Sequence, residues 1–246
     1  MKRIWMFVFC IGTFAIADAR KCSKLTPAGF KKTDGVFDYD HGGKVCENLN
    51  TRTTFGNDVR QHILDRHNMY RANLANGCAK LPNGTRAPSG RDIKKLVYNC
   101  TLEAIAQKFA NQCAGHVHSK FETRPHIGEN LYFGWDPSRK AKTDWFAKGA
   151  DAWWAELQKY GLKYSADNSK IFYGKGAGHF GQMAWANTRS VGCGFNRCAR
   201  TVYMVCNYYP AGNINKKTIY QKGKPCKNGK SCKSGKCDKA TGLCFA

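Results

Sequence analysis

The sequence predicts a single layered α/β domain, and two periodic patterns in its central part support this prediction. Three segments place apolar residues at the three- and four-residue steps of an amphipathic helix. Three shorter segments alternate in polarity and are rich in aromatic and β-branched residues, as strands are. Helices and short strands in this mixture bury their apolar faces by packing as layers on one core. No repeat of fixed period is visible, so a repeat array is not expected.

The first predicted helix starts near residue 57 and ends before Gly77. Asn57 or Asp58 is expected to cap its N-terminus, and Gly77 is expected to close it. The prolines and glycines between Leu81 and Gly90 predict a loop. The stripe that predicts this helix consists of Val59, Ile63, His67, Tyr70 and Leu74.

Two further helices and three strands follow along the chain. An apolar stripe between Leu102 and Cys113 predicts the second helix, and the third is expected from about Thr143 to Tyr160. The predicted strands are residues 130–135, 191–195 and 201–209. The side chains that the third helix is expected to bury are Phe146, Ala150, Trp153, Trp154 and Leu157.

The N-terminal residues 1–19 have the features of a secretory signal peptide. Lys2 and Arg3 precede an apolar run, and small residues that suit a cleavage site follow it. The run is shorter than the ~20 residues that a membrane span needs. We therefore expect a secreted, extracellular protein with no transmembrane segment. Residues 20–56 predict an irregular extension that cysteines staple to a main domain at residues 57–213.

The cysteine content agrees with secretion. The chain has 13 cysteines, and removal of Cys10 with the signal leaves an even number that is compatible with six disulfides. Closely spaced CxxC pairs are absent, which makes a zinc-ribbon interpretation weak. Asn83 and Asn99 lie in N-glycosylation sequons. Asn99 is the weaker candidate, because the middle residue of its sequon, Cys100, is expected to form a disulfide.

The chain is strongly basic, with 40 Lys and Arg against 17 Asp and Glu and a formal net charge of +23. Such a charge attracts polyanions. Secretion and the absence of a groove-reading motif favour anionic glycans or lipid headgroups over nucleic acid.

Residues 214–246 form a basic tail. Its few apolar residues cannot build a core, so disulfides among its four cysteines are expected to hold it. The lysines form either a polyanion-binding surface or a merely solvated face. The polyanion-binding candidates are Lys216, Lys217, Lys222, Lys224, Lys227, Lys230, Lys233, Lys236 and Lys239.

Three ordered motifs combine polar side chains with glycines. They are Gly-His-Phe-Gly-Gln-Met-Ala-Trp at residues 178–185, Gly-Glu-Asn-Leu at 128–131 and Cys-Asn-Tyr-Tyr-Pro-Ala-Gly-Asn at 206–213. Over residues 57–213 this arrangement resembles the CAP superfamily of cysteine-rich secretory proteins, antigen 5 and pathogenesis-related proteins of group 1. Within it the chain is most similar to the venom-allergen-like, activation-associated secreted proteins of nematodes. The resemblance implies a three-layer α–β–α sandwich around a small antiparallel sheet, here with a disulfide-stapled C-terminal tail.

The same resemblance implies a cavity lined by two His and two Glu, which correspond here to His118, Glu129, Glu156 and His179. His116 is the alternative to His118, because it lies only two residues earlier. Two neutral imidazoles can bind Zn²⁺ and leave positions open for water, so His118 and His179 are the candidate metal ligands. In the alternative interpretation, the His and Glu side chains only tie the surrounding elements together.

The resemblance favours a secreted, non-enzymatic effector that acts on an unidentified extracellular protein or receptor, for example at a host surface. Many relatives have Ser or Thr directly after the Gly-His-aromatic run, whereas this chain has Gly181, so no catalytic residue is predicted. The alternative function is a sterol or fatty-acid carrier, and metal-dependent hydrolysis comes third. The aromatic residues that could contact a lipid in a loop are Tyr160, Tyr164, Phe172 and Tyr173.

Overall fold

The computed structural model describes residues 22–26, 46, 56–167 and 170–246. The predicted signal peptide and most of the predicted extension lie outside these residues. Six disulfides connect the described cysteines and confirm the predicted number. Two of them, Cys22–Cys78 and Cys46–Cys100, attach the described parts of the extension to the main domain. No described helix is both long enough and apolar enough to cross a membrane.

The three predicted helices are present, and the described residues 56–246 contain one further α-helix. The second helix ends three residues before Cys113, and the fourth covers most of the Gly-His-Phe motif, for which no helix was predicted. A short 3₁₀ helix, Phe121–Thr123, lies between the second helix and the central sheet. The helices are α1 at Asn57–Ala75, α2 at Cys100–Ala110, α3 at Lys142–Tyr160 and α4 at Gly178–Ala184.

The N-cap prediction for α1 was wrong, whereas the helix ends before Gly77 as predicted. Gly56 occupies the N-cap position and makes no side-chain hydrogen bond. Asn57 lies inside the first turn, where its Oδ1 accepts a hydrogen bond from Arg60. Asn76 takes the C-cap position, and Gly77 follows it in the left-handed region at φ 68°. A capping residue must be extended, and residue type alone does not show which of several neighbouring residues adopts that conformation.

Four strands form the central sheet in the order β2, β6, β7, β3. The β3–β7 and β6–β7 pairs are antiparallel, as expected, whereas the two-residue strand β2 pairs with β6 in parallel. The three predicted strands are β3, β6 and β7. Their bounds are Val97–Tyr98 for β2, Gly128–Trp135 for β3, Ser190–Cys198 for β6 and Thr201–Tyr209 for β7.

The central sheet lies between two helical layers, as the resemblance implied. Leu131, Tyr203 and Val205 face α2 and form a small core with it, whereas the alternate residues of β7, such as Met204, join the main core with α1, α3 and α4. The backbone of α2 approaches β6 so closely that a Cβ at Gly194 would lie 2.4 Å from the Gln107 nitrogen.

A second four-stranded sheet has the order β1, β8, β5, β4. The segment predicted as an aromatic loop is the β4–β5 hairpin of this sheet. A strand of the basic tail, β8, lies between β1 and β5, and a two-stranded sheet of β9 and β10 completes the tail. The bounds are Gly90–Arg91 for β1, Leu162–Tyr164 for β4, Lys170–Tyr173 for β5, Tyr220–Lys222 for β8, Cys237–Asp238 for β9 and Leu243–Cys244 for β10.

The basic tail is stapled by two disulfides, as predicted, but it is also part of the main core. The disulfides are Cys226–Cys237 and Cys232–Cys244. Ile219, Tyr220 and Leu243 are buried in the same apolar cluster as α1 and α3. The tail therefore lacks a core of its own because its few apolar residues contribute to that of the main domain.

Candidate functional site

Glu129 and His118 form the first of two His–Glu pairs. Glu129 is the second residue of β3, and His118 belongs to the loop after α2. The His118 Nδ1 lies 2.8 Å from Glu129 Oε1. The carboxylate is almost fully buried, at 1% exposure, whereas the imidazole is 52% exposed. The imidazole of the pair is therefore exposed to solvent, whereas the negatively charged carboxylate is buried.

The buried Glu129 carboxylate has further partners that the sequence did not indicate. Both the backbone amide and the hydroxyl of Ser119 donate hydrogen bonds to it, at 2.9 and 2.6 Å, and Arg124 Nε lies 3.8 Å away. Burial alone would raise the pKa of Glu129, but the hydrogen bonds from His118 and Ser119 and the charge of Arg124 outweigh burial and lower this pKa. Glu129 is thus a fixed anion, oriented for its contact with His118.

Glu156 and His179 form the second pair. Glu156 lies on α3, and His179 is the second residue of α4. The His179 Nδ1 is 2.6 Å from Glu156 Oε1, and the Phe180 amide donates to Glu156 Oε2 at 3.0 Å. The ring of Trp153, one turn earlier on α3, stacks on the imidazole at a centroid distance of 6.0 Å. Two helices and an aromatic ring therefore fix the orientation of His179.

Both pairs border β3, which is an edge strand of the central sheet. Glu129 lies on the α2 face of this strand, together with Leu131. On the opposite face, Asn130 donates to the His179 carbonyl at 3.1 Å, and Trp153 Nε1 donates to the Leu131 carbonyl at 2.9 Å. The edge strand thus connects the two pairs, and Asn130, which is part of the Gly-Glu-Asn motif, links them.

A buried chain of hydrogen bonds continues from Asn130 into α1. Asn130 Nδ2 lies 3.4 Å from the hydroxyl of Tyr208, which lies 2.9 Å from His67 Nε2. His67 Nδ1 is 2.8 Å from the Ile63 carbonyl, an acceptor only, so Nδ1 carries the proton and Nε2 accepts from Tyr208. Burial lowers the pKa of His67 to about 4. This histidine is buried on the core side of α1, as expected, and it is connected through Tyr208 to Asn130 of β3.

The structure distinguishes His118 from the alternative His116. His116 packs its ring on Phe133 at a centroid distance of 4.0 Å and makes no hydrogen bond to Glu129 among the described residues. Although His116 and His118 are only two residues apart, the loop directs the first ring to Phe133 and the second to Glu129.

Each of His118 and His179 uses Nδ1 to contact a carboxylate, which can only accept a hydrogen bond. In the neutral ring the proton is therefore on Nδ1, and Nε2 retains a lone pair, with no hydrogen-bond partner among the described residues. This donor set fits a divalent cation, because metal-binding imidazoles commonly donate their other N–H to a carboxylate. Both oxygens of each carboxylate are already engaged, so the residues that could ligate directly are the two histidines.

No group of three ligand atoms other than Cys226, Cys232 and Cys237 comes together among the described residues. Those cysteines are in disulfides and offer no thiolate. Any cation at the His–Glu pairs would therefore have at most two protein ligands and several water ligands.

The position of the missing hydroxyl is closely packed. A Cβ at Gly181 would lie 2.4 Å from Asn213 Oδ1 and 2.8 Å from the Tyr173 ring. The Ser119 hydroxyl, beside His118 in the chain, donates to Glu129 and accepts from Arg124 Nε at 2.8 Å. Neither position offers a hydroxyl that is hydrogen-bonded to an imidazole, which is the arrangement that activates a serine nucleophile.

The other predicted site residues have simpler settings. Tyr160, the last residue of α3, and Tyr164, in β4, are each 40% exposed, whereas Phe172 and Tyr173 in β5 are half-buried. Asn83 is exposed in its loop. Asn99 is 6% exposed and caps α2 by accepting a hydrogen bond from the Leu102 amide at 2.9 Å, which makes it a poorer glycan acceptor than Asn83.

All nine candidate lysines of the basic tail are exposed. None of their ammonium groups forms an ion pair among the described residues, and the only acidic residue of the tail, Asp238, pairs with Lys95 at 2.7 Å. The tail therefore presents uncompensated positive charge.

Residues 64–208 match the CAP, cysteine-rich secretory protein family, and the chain belongs to this family. Ancylostoma secreted protein from Ancylostoma caninum is 33% identical over 203 residues, which are 80% of this chain but only 46% of that protein. Venom allergen 5 from Vespula flavopilosa is 34% identical over 66% of this chain and 79% of its own length. These relatives have the names of a secreted protein and an allergen rather than of enzymes.

Two solved structures show the same fold. BmVAL-1 superimposes with a TM-score of 0.71 at 35% identity and covers 79% of this chain and 97% of its own. The crystal structure of NaASP2 with Zn²⁺ gives a TM-score of 0.67 at 35% identity and covers 77% of this chain and 96% of its own. Both confirm the CAP fold that the three motifs implied.

Proposed function

We propose that this CAP protein is a secreted, non-enzymatic binding protein in which His118 and His179 hold a divalent cation such as Zn²⁺ through Nε2. The observation that carries the proposal is the matched geometry of the two pairs. In each, a carboxylate accepts a hydrogen bond from Nδ1–H and leaves the Nε2 lone pair available. The structure of NaASP2 with Zn²⁺ supports the proposal as a similar protein.

Binding is expected to be weak, because ordinary zinc sites hold three or four protein ligands and this site offers two. Glu129 and Glu156 orient the imidazoles rather than ligate. A cation held in this way would have free positions for water or for an acidic group of an extracellular partner.

Calorimetric titration with ZnCl₂ tests this site. Wild-type protein should take up Zn²⁺ at pH 7.5, and His179→Ala and His118→Ala should each abolish measurable uptake. Binding should also weaken in acid, because a protonated imidazole cannot ligate. His116→Ala is the matched control, since it removes a neighbouring imidazole that contacts Phe133 instead of a carboxylate. Equal Zn²⁺ affinity in wild type and His179→Ala would contradict the proposal.

The non-enzymatic assignment rests on the surroundings of Gly181. Its Cβ position is occupied by neighbouring atoms, and the Ser119 hydroxyl is engaged by Glu129 and Arg124. Hydrolysis by a metal-activated water is the remaining catalytic alternative, and a Zn²⁺-dependent turnover assay on ester substrates would detect it.

The basic tail provides the second part of the binding function. Its nine exposed lysines have no ion-pair partners among the described residues and favour anionic glycans at an extracellular or host surface. The relative that is named a secreted protein, together with the disulfide content, supports an extracellular location.

A sterol or fatty-acid carrier is the alternative function. The half-exposed rings of Tyr160, at the end of α3, and Tyr164, in β4, favour it, whereas the tryptophans of α3 are buried in the core: Trp145, Trp153 and Trp154. Solvent extraction of the purified protein followed by mass spectrometry would detect a stoichiometric lipid. The cation proposal and this alternative can be tested separately, because the hydrogen bonds that orient His118 and His179 involve neither Tyr160 nor Tyr164.

A further inference from the structure

A pocket of about 490 Å³ lies away from the two His–Glu pairs, between the main domain and the basic tail. Its apolar lining comes from four segments of the chain and includes Phe121, Trp185, Pro210 and Ile214. Phe121 and Ile214 are 60% and 48% exposed, which is unusual for large apolar side chains that line one concavity. The volume falls in the range of small-molecule sites.

The wall of the pocket at residues 183–188 is held rigidly. The buried Arg71 donates hydrogen bonds to the carbonyls of Met183, Trp185, Ala186 and Thr188, at 2.8 to 3.2 Å. Burial lowers the pKa of Arg71 to about 9, so the guanidinium is still charged at neutral pH. The pocket is thus formed before any ligand binds.

Two backbone hydrogen bonds join the segments that form the other walls of the pocket. Ala186 donates to the Ile219 carbonyl at 2.8 Å, and Ala211 donates to the His126 carbonyl at 2.8 Å. Ile214, Lys217, Ile219 and Lys233 all belong to residues 214–246, so the pocket exists only because the tail packs on the domain.

The rim of the pocket is cationic. Arg91, Lys217 and Lys233 line it, and none of the three forms an ion pair among the described residues. Arg91 is positioned by a hydrogen bond from Nε to Gln221 Oε1 at 3.1 Å. The one acidic residue at the rim, Asp92, is already engaged by the Lys94 ammonium at 2.8 Å and the Lys233 amide at 3.0 Å. The rim therefore favours a negative charge.

We propose that this pocket binds an amphipathic organic anion, with a compact apolar body against Phe121, Trp185 and Ile214 and an anionic head at Arg91, Lys217 and Lys233. An apolar floor stabilises the body by removing it from water, and charge-assisted hydrogen bonds at the rim fix the head. A purely hydrophilic sulfated sugar would leave the floor uncovered, and a neutral lipid would leave the rim cations without a partner. None of the four residues of the His–Glu pairs lines this pocket.

The probe is 8-anilinonaphthalene-1-sulfonate, compared with the neutral N-phenyl-1-naphthylamine, which has the same aromatic body without the sulfonate. Fluorescence titration of the full chain should show one saturable sulfonate site per molecule and about tenfold weaker binding of the neutral probe, because charge-assisted hydrogen bonds to the head are lost. Equal affinity for the two probes would contradict a role for the cationic rim.

Charge-matched variants locate the binding site of the head. The double variant Lys217→Gln/Lys233→Gln should weaken sulfonate binding about tenfold. The double variant Lys236→Gln/Lys239→Gln removes the same charge from exposed tail lysines that do not line the pocket, and it should leave binding unchanged. Equal weakening by both pairs would mean that the probe responds only to overall charge, and would overturn the proposal.

Two further variants test the apolar floor. Phe121→Ala and Ile214→Ala should each weaken both probes, whereas Trp135→Ala, which removes a 63% exposed ring outside the pocket, should weaken neither. All three side chains are exposed, and circular dichroism should confirm that the fold is retained. Retention of full affinity in both floor variants would contradict the assignment.

Competition identifies the class of natural ligand. Decanoate should displace the sulfonate probe, and decanol should displace it at least several-fold less well, because only decanoate supplies the anionic head. Displacement by a sulfated disaccharide but not by decanoate would overturn the amphipathic assignment, since it would show that the head alone is recognised.

Discussion

At the residue scale, the two glutamates of the candidate site differ in their environments. Glu129 is 1% exposed, receives hydrogen bonds from His118 and Ser119 and has a lowered pKa, whereas Glu156 is 17% exposed and receives hydrogen bonds from His179 and the Phe180 amide. The first pair is therefore more strongly coupled to the stability of the fold than the second.

Replacing each glutamate by Gln should separate stability from affinity. Glu129→Gln places an amide beside Ser119 and Arg124, and it should lower the free energy of unfolding by about 1–3 kcal/mol because buried donors lose their acceptor. Glu156→Gln should change stability less but weaken Zn²⁺ binding about 10–100-fold, because a supporting carboxylate is lost. Urea unfolding and calorimetry measure the two effects. A larger loss of stability in Glu156→Gln than in Glu129→Gln would contradict this assignment.

At the element scale, residue periodicity predicted α1, α2, α3 and the long strands because those elements bury one face. The prediction of the α1 N-cap residue was wrong because the cap depends on the dihedral angles of a single residue. The short helix α4 was not predicted because its seven residues include two glycines. The four site residues were predicted from the motifs of a family resemblance rather than from periodicity. No feature of the sequence indicated that Arg124 contacts Glu129, because only the folding of its loop places it there.

The hydrogen-bond chain from Asn130 through Tyr208 to His67 connects β3, β7 and α1, and it makes stability depend on pH. His67 has a pKa of about 4 when folded and 6.5 in a model peptide, so the unfolded chain binds the extra proton between these values. Stability is therefore complete above about pH 6.5 and falls as the pH drops towards 4, by about 1.4 kcal/mol per pH unit at most.

Urea unfolding at pH 7.0 and 4.5 should show this loss in the wild type and a smaller loss in His67→Gln, which has no group that titrates at this position. His116→Gln, which replaces an exposed histidine outside the chain of hydrogen bonds, is the control and should behave as the wild type does. An identical pH dependence in wild type and His67→Gln would show that His67 is not responsible.

At the scale of the whole molecule, the tail joins the domain through a few apolar residues and keeps its lysines outside. The sequence predicted its disulfides and its charge correctly. It did not indicate that Tyr220 and Leu243 enter the main core, because scattered apolar residues in a lysine-rich segment show no periodicity. Deletion of the tail after Asn213 would therefore remove core residues, and it is not a clean test of charge.

Replacement of all nine exposed tail lysines by Gln tests polyanion binding in the intact fold. The variant should elute from heparin at a lower salt concentration than the wild type and show a shallower salt dependence, because fewer counterions are displaced. It should not lose binding completely, since the main domain remains basic. A matched set of lysines replaced outside the tail is the control. Elution of the tail variant at the wild-type salt concentration would show that the tail is only a solvated surface.

The central claim is that the two carboxylates accept hydrogen bonds from Nδ1–H of His118 and His179, so that Nε2 of each ring can bind a cation. Nitrogen-15 NMR of the imidazole rings at pH 7.5 measures this directly. Without metal, both rings should show a protonated Nδ1 and a bare Nε2, and added Zn²⁺ should shift the Nε2 resonances of both and leave His116 unchanged. A proton on Nε2 of His118 or His179, or a Zn²⁺ shift confined to other histidines, would contradict the account.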